Sequence, residues 1–296
     1  MEELWNFFDG HITCINLISR DDRYEESKKI FEKYSIPVKY LRVEKNPVSG
    51  TKGNLESHQR VIKEAYDAGA ERVLVFEDDI DVIEGTLNYD NLKRCIDFMK
   101  EFKDWDLLYL GVIPDIINYK CQKTKKKGIY KLHGICAHAY IVNRKAMKNI
   151  INLKYEGMCI DGYYVRFFKS YAIYPTIFHQ GVSKSDISNN EKKWWYKYHN
   201  NENIITFYKF IEFYAYHINY PIKAFIPLII ILGIWFLFIL YKYYSRKNNT
   251  SFYEDKELYN GFYILAFILV LLLVIMIFYD KEDSKDTNYS NLSIKK

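Results

Sequence analysis

The chain has 296 residues, with 42 Lys and Arg against 37 Asp and Glu, for a net charge of +5. Its only basic run, Lys125-Lys126-Lys127, sits in a polar stretch rather than along a helix face, so the basic stripe that a nucleic-acid partner requires is missing. The 28 tyrosines go with a general excess of Lys, Asn and Ile, so no single tyrosine is read as functional on abundance. Five cysteines (Cys14, Cys95, Cys121, Cys136 and Cys159) are too scattered for a zinc site or a disulfide framework. Most are expected to be buried thiols in a reducing compartment.

Met1-Glu2-Glu3-Leu4-Trp5-Asn6 has neither a charged n-region nor an apolar core, so no secretory signal is expected. Residues 11–18 alternate as a strand and end at Ser19-Arg20-Asp21-Asp22-Arg23. Residues 24–34 carry a helical period through Ile30, Phe31 and Tyr34, and 38–43 make a short second strand. Gly50 to Gly53 marks a loop, followed by a helix over 57–68. Further strands are expected over 106–110, 135–142 and 172–178, the last broken by Pro175, and further helices over 144–153 and 162–169. This alternation predicts an α/β domain over residues 1–190, with a mostly parallel sheet covered on both faces.

The remainder differs in kind. Residues 191–220 are aromatic and Lys-rich, and read as a juxtamembrane segment. Ala224 to Tyr241 is an uncharged run of 18 residues, and Leu258 to Tyr279 one of 22. Both approach the roughly 20 residues that cross a bilayer, and neither has a polar stripe. Two transmembrane helices are therefore expected, at 221–241 and 258–279, with a polar tail at 280–296. Six basic residues flank this hairpin (Lys209, Lys223, Lys281, Lys285, Lys295, Lys296) against four in its loop (Lys242, Arg246, Lys247, Lys256). That count places the N-terminal domain in the cytosol. Asn248, Asn249, Asn288 and Asn291 lie in sequons, which an Asn-rich chain generates by chance.

The chemistry concentrates at one point. Arg72-Val73-Leu74-Val75-Phe76 reads as a buried strand that runs into Glu77, Asp78, Asp79 and Asp81, four carboxylates within five positions. Such a cluster is unfavourable unless something cationic neutralises it, and Mg²⁺ or Mn²⁺ suits oxygen ligands of this kind. In an open α/β sheet, the carboxyl end of a strand is also where ligands bind. Strict alternation puts Glu77, Asp79 and Asp81 on one side and Asp78 on the other. Asp79 is the first metal ligand, and Asp81, in D-x-D spacing with it, is the second reading; His179 past the last strand can add a nitrogen. Arg20 and Arg23 follow the first strand, where guanidinium forks fit a diphosphate, or else pair with nearby acidic residues. Ser57 and Asp161 each open a helix and are equally placed to cap it.

Four blocks in order resemble the family 25 glycosyltransferases, which include lipooligosaccharide and procollagen galactosyltransferases. They are Ile15-Asn16-Leu17 with Arg20 and Arg23; Gly53-Asn54-Leu55-Glu56-Ser57-His58; Phe76-Glu77-Asp78-Asp79; and Ala139-Tyr140-Ile141-Val142-Asn143-Arg144 with Asp161, Tyr174-Pro175 and the stretch from Gln180 to Ile187. The resemblance covers about residues 10–188. It implies a GT-A fold, a nucleoside diphosphate sugar donor, a glycan or protein acceptor, and a divalent metal, usually Mn²⁺. With such a donor and metal, Asn16, Arg20, Arg23, Glu77 and Asp78 are the expected donor contacts, Asp79 with Asp81 or His179 the expected metal ligands, and His58 and Asp161 the expected catalytic residues, Asp161 as general base of an inverting transfer. Asn54-Leu55 stands where relatives often place a cysteine, and the Lys-rich stretch 115–127 carries no recognisable acceptor motif. Two rivals remain: a nucleotidyltransferase, for which no basic nucleotide loop is found, and an inactive transferase fold tethered to a membrane as a binding module.

Overall fold

Strand β1 (Ile12–Leu17) buries Ile12, Cys14 and Asn16 and leaves the intervening residues half-covered, the two-residue period that its sequence carries. The computed structural model describes residues 1–181 and 201–218 and, beyond them, only 221, 230, 233–235 and 237–238. A short helix α1 (Glu2–Trp5) precedes β1. Then follow α2 (Asp21–Lys33), β2 (Lys39–Val43), α3 (Gly50–Asp67), β3 (Arg72–Glu77), β4 (Ile80–Val82) and α4 (Tyr89–Glu101). The second half comprises β5 (Leu107–Pro114), β6 (Gln122–Lys123), β7 (Ile129–Lys131), β8 (Gly134–Asn143), α5 (Arg144–Ile150), α6 (Ile160–Phe167), β9 (Ser170–Ile173), β10 (Phe178–Gln180) and α7 (Asn201–Phe213), with a π turn over Tyr214–Ile218.

Eight strands form one sheet in the order β2-β1-β3-β8-β5-β9-β7-β6. β1 runs parallel to β2 and β3, and β5 to β9, while the other four neighbouring pairs are antiparallel. The sheet is thus mixed rather than mostly parallel. Its turning point is β8, which reaches β5 after the β6–β7 hairpin; without a crossover helix, the chain returns antiparallel. A core of Phe31, Leu74, Phe76, Phe98, Trp105, Ile141 and Phe178 lies against one face.

Three local outcomes position the site. Helix α3 starts at Gly50, seven residues ahead of the expected start, because the Ser49 hydroxyl accepts from the Lys52 N–H. Gly53 permits this early turn, since a Cβ there would stand 2.7 Å from the Asn46 Cβ. The expected strand 172–178 divides at the cis Tyr174–Pro175 bond into β9 and β10. β10 pairs antiparallel with β4, with His179 opposite Asp81 and Gln180 opposite Ile80.

The chain divides into two units, 1–219 and 220–296. The expected spans 221–241 and 258–279 lie almost wholly outside the described residues, and no helix among the described residues is long and apolar enough to cross a membrane. Within the first unit, the segment read as juxtamembrane supplies α7, where Tyr208 and Ile211 are buried, and the π turn, where Ala215 and Tyr216 are buried. Glu212 is buried too; its Oε1 accepts from the Thr176 N–H at 2.8 Å, and burial raises its pKa. A carboxyl raised in the folded state stabilises below its ordinary pKa and loses that contribution as pH rises. Glu212→Gln keeps an acceptor without the charge, so it is expected to raise the melting temperature at pH 8 by about 2–4 °C, the equivalent of ~1 kcal/mol, and to be neutral at pH 4. Thermal melts at the two pH values check this.

Candidate active site

The carboxyl ends of β1, β2 and β3 open into a cleft with about 770 Å³ of free space, lined by Arg23, Val43–Asn46, Gly50, Gly53, Asn54, Ser57, His58, Glu77, Asp78, Asp79 and Gln180. β3 ends at Glu77 and the chain turns at Asp78-Asp79 before β4, so alternation stops there and all three carboxylates reach the cleft. Asp81, the residue expected beside Asp79, is outside the lining. Its Oδ1 accepts from the Val82 N–H, and its Oδ2 lies 4.0 Å from His179 Nε2 across the two-stranded sheet.

Arg23 is the cation at the centre. From the first turn of α2 its Nη1 reaches Asp78 Oδ1 at 3.0 Å and Asp79 Oδ2 at 3.4 Å, with only a tenth of its side chain exposed. Asn16 holds the same turn from β1, with Nδ2 donating to Asp78 Oδ2 at 2.7 Å and to the Arg20 carbonyl, while its Oδ1 accepts from Arg42 Nε. Gln180 Nε2 donates to Asp79 Oδ2 at 3.0 Å, and the Gln180 N–H donates to the Tyr208 hydroxyl of α7. Arg20 engages Asp22 through two bonds of 2.7–2.8 Å, the local pairing that the sequence left open, yet its field still reaches Asp79.

The charges do not balance. Burial raises the pKa of Glu77, reinforced by Asp79, Asp161 and Asp78 and opposed by Arg23. Burial likewise raises Asp78 and Asp79 against the pull of Arg23. Asp79 Oδ1 is buried with no hydrogen-bond partner among the described residues. A buried carboxylate oxygen of this kind normally has a donor or a cation.

Behind Glu77 lies a chain of hydroxyls and a ring. Tyr164 donates to the Tyr140 hydroxyl at 2.9 Å, Tyr140 meets His58 Nδ1 at 2.6 Å, and His58 Nε2 meets Glu77 Oε1 at 3.2 Å. With Tyr140 accepting from Tyr164, its own proton is available to Nδ1, and in that arrangement the imidazole proton sits on Nε2, directed at Glu77. Burial pushes the His58 pKa down to about 4, so the ring is neutral. Asn54 adds a 3.3 Å bond to the same Glu77 oxygen, leaving Oε2 for whatever enters the cleft. Asp161 lies in the first turn of α6, where Cys159 occupies the N-cap; its Oδ2 accepts from the Cys136 N–H at 2.8 Å, and its field reaches Glu77 and His58.

Tyr140→Phe removes the hydroxyl between Tyr164 and His58, and the orphaned polar atoms are expected to destabilise the fold by about 1–3 kcal/mol. The ¹⁵N shifts of His58 should then show the proton moving off Nε2 in part of the population; an unchanged tautomer would reject this direction for the chain. Asn54, Gln180, Tyr140 and Tyr164 carried no role in the sequence reading.

No family model matches the chain, and no curated protein matches it. Solved structures similar to it include a glycosyltransferase involved in glycosylation of the major capsid of PBCV-1, 13% identical over 59% of this chain and 94% of that one, with a TM-score of 0.37. Another is a Drosophila β-1,4-galactosyltransferase 7 mutant in complex with manganese, UDP-Gal and xylobiose, 12% identical over 62% and 74%, with a TM-score of 0.34. A third is an apo UDP-glucose pyrophosphorylase, 9% identical over 58% and 77%, with a TM-score of 0.32. All three scores are low.

Proposed function

We propose that the chain is a metal-dependent glycosyltransferase that moves a hexose, galactose or glucose, from a nucleoside diphosphate sugar to a glycan or protein acceptor. The observation that carries this reading is the turn after β3, where three carboxylates enter a cleft against one buried guanidinium, and one carboxylate oxygen has no partner among the described residues. Asp79 Oδ1, with Glu77 beside it, fits a hard divalent cation such as Mn²⁺. Among the described residues no three His, Cys, Asp or Glu side chains converge on one point. One or two carboxylates are enough for a cation whose other ligands are phosphates and water. When bound, such a cation supplies Lewis-acid stabilisation of the departing diphosphate.

The chain's own residues do the rest. Arg23 holds the Asp78-Asp79 turn in place and directs a second cationic centre toward the phosphates. The cleft wall at 43–46 and the first turn of α3 offer a recess for the nucleoside. His58 fixes Glu77 through Nε2–H, which orients its other oxygen toward the donor. Asp161 takes the acceptor proton as base, which requires it to release the Cys136 N–H. The hydrophobic tail anchors the enzyme in a membrane through two spans, with the domain in the cytosol.

The full chain in detergent, offered a panel of nucleoside diphosphate sugars with Mn²⁺ or EDTA, should release nucleoside diphosphate from one of them only with the metal. Release of pyrophosphate from a sugar 1-phosphate and a nucleoside triphosphate, with none from the panel, would make it a nucleotidyltransferase. Protease added to sealed membranes should digest residues 1–220 and spare the tail, whereas glycans on Asn288 or Asn291 would reverse the topology.

A further inference from the structure

Helix α7 is apolar on two opposite sides. Tyr208 and Ile211, followed by Ala215 in the π turn, are buried against the domain, while Phe207, Phe210 and Phe213 face outward at a spacing of three, 48%, 59% and 55% exposed. At 100° per residue the outward phenylalanines lie across the helix axis from the buried row. Phe213 stacks on His217 at 5.1 Å, which carries the stripe into the final π turn. With its other side already buried, an exposed aromatic stripe of this kind marks a surface that something else covers.

The chain itself indicates the cover. The described helix ends at Ile218, and the uncharged run begins at Ala224, so five residues separate them, about 18 Å at full extension. A run that enters a bilayer therefore holds the end of α7 close to the headgroups. Exposed Lys209 flanks the stripe and Lys223 closes the connection, the pairing of cations with aromatic residues that marks helices lying in an anionic interface. A second copy is a poorer occupant. Three half-exposed phenyl rings offer roughly 300 Å², at about 200 Å² for a fully exposed one, against about 800 Å² per partner in a standard interface.

We infer that the Phe207–Phe210–Phe213 stripe of α7 docks the domain on the surface of an anionic lipid bilayer. α7 then lies along the membrane instead of standing away from it as a spacer. This goes beyond the transfer reaction and rests only on the anchoring of the tail.

The test uses the full chain with benzoylphenylalanine in place of Phe210, a change of aromatic for aromatic at an exposed site. The protein is reconstituted in phosphatidylcholine vesicles containing phosphatidylglycerol, floated and illuminated. A lipid adduct at 210 at least ten-fold above that from the same label at Tyr89, exposed on α4, is the expected result. Protein that floats but cross-links to residues 220–296 or to a second copy, or gives no more lipid adduct than Tyr89, overturns the docking and leaves anchoring intact. Protein that does not float overturns both. None of these outcomes bears on sugar transfer, which is read from the separate donor panel.

Discussion

Asp79→Asn is expected to lower turnover by about 10³-fold and to abolish Mn²⁺-dependent donor binding while the fold persists. An amide neutralises none of a cation's charge and is a poor ligand for a hard ion. The fold persists because the Asn oxygen still accepts from Gln180, and because one of the two buried carboxylates that share Arg23 is gone. The metal-free variant should therefore melt no lower than the parent. Calorimetric titration of donor with and without Mn²⁺, beside thermal melts, reads the two effects separately. Wild-type turnover in this variant would move the metal to the Asp81–His179 pair beside the cleft.

Arg23→Ala is the second large effect, and it falls on stability. Arg23 is the cation in direct contact with two buried carboxylates, and breaking a buried pair from one side costs about 3–5 kcal/mol. The loss should depend on pH. Without the guanidinium, the Asp78 and Asp79 carboxyls, already raised by burial, rise further. A raised carboxyl favours the folded state while it is protonated and weakens it as pH climbs through the folded value. The deficit should accordingly be largest at pH 8 and shrink toward pH 4.5 in urea titrations. An equal loss at both pH values would mean that Arg23 acts by packing its stem rather than by charge.

Much of this architecture is legible along the chain. The apolar runs at 73–76, 107–112 and 139–142 are buried because central strands covered on both faces must be apolar throughout. Helix α4 was also there to be read, since Leu92, Cys95, Ile96 and Met99 carry the helical period and Asn88 caps it. The antiparallel insertion of β8 was not, because strand alternation records burial but not direction. At the site, adjacent carboxylates announce themselves, whereas their neutralisation depends on residues far apart in sequence: Arg23 meets Asp78 across 55 positions, and Gln180 meets Asp79 across 101. Tyr140 and Tyr164 were hidden for another reason. In a chain with 28 tyrosines, two that join end to end in the interior look like the rest.

The route by which Gln180 reaches Asp79 sets a schedule for synthesis. The floor of the cleft, from β1 to the Asp78-Asp79 turn, leaves the ribosome first, while the amide that holds Asp79 belongs to a strand made 101 residues later. At about 5–20 residues per second, that interval is roughly 5–20 s. For this time the nascent chain carries its carboxylate turn without the β10 strand that closes it. A growing polypeptide can acquire its charge cluster early, but the cluster gains its closing amide only shortly before the uncharged runs are translated.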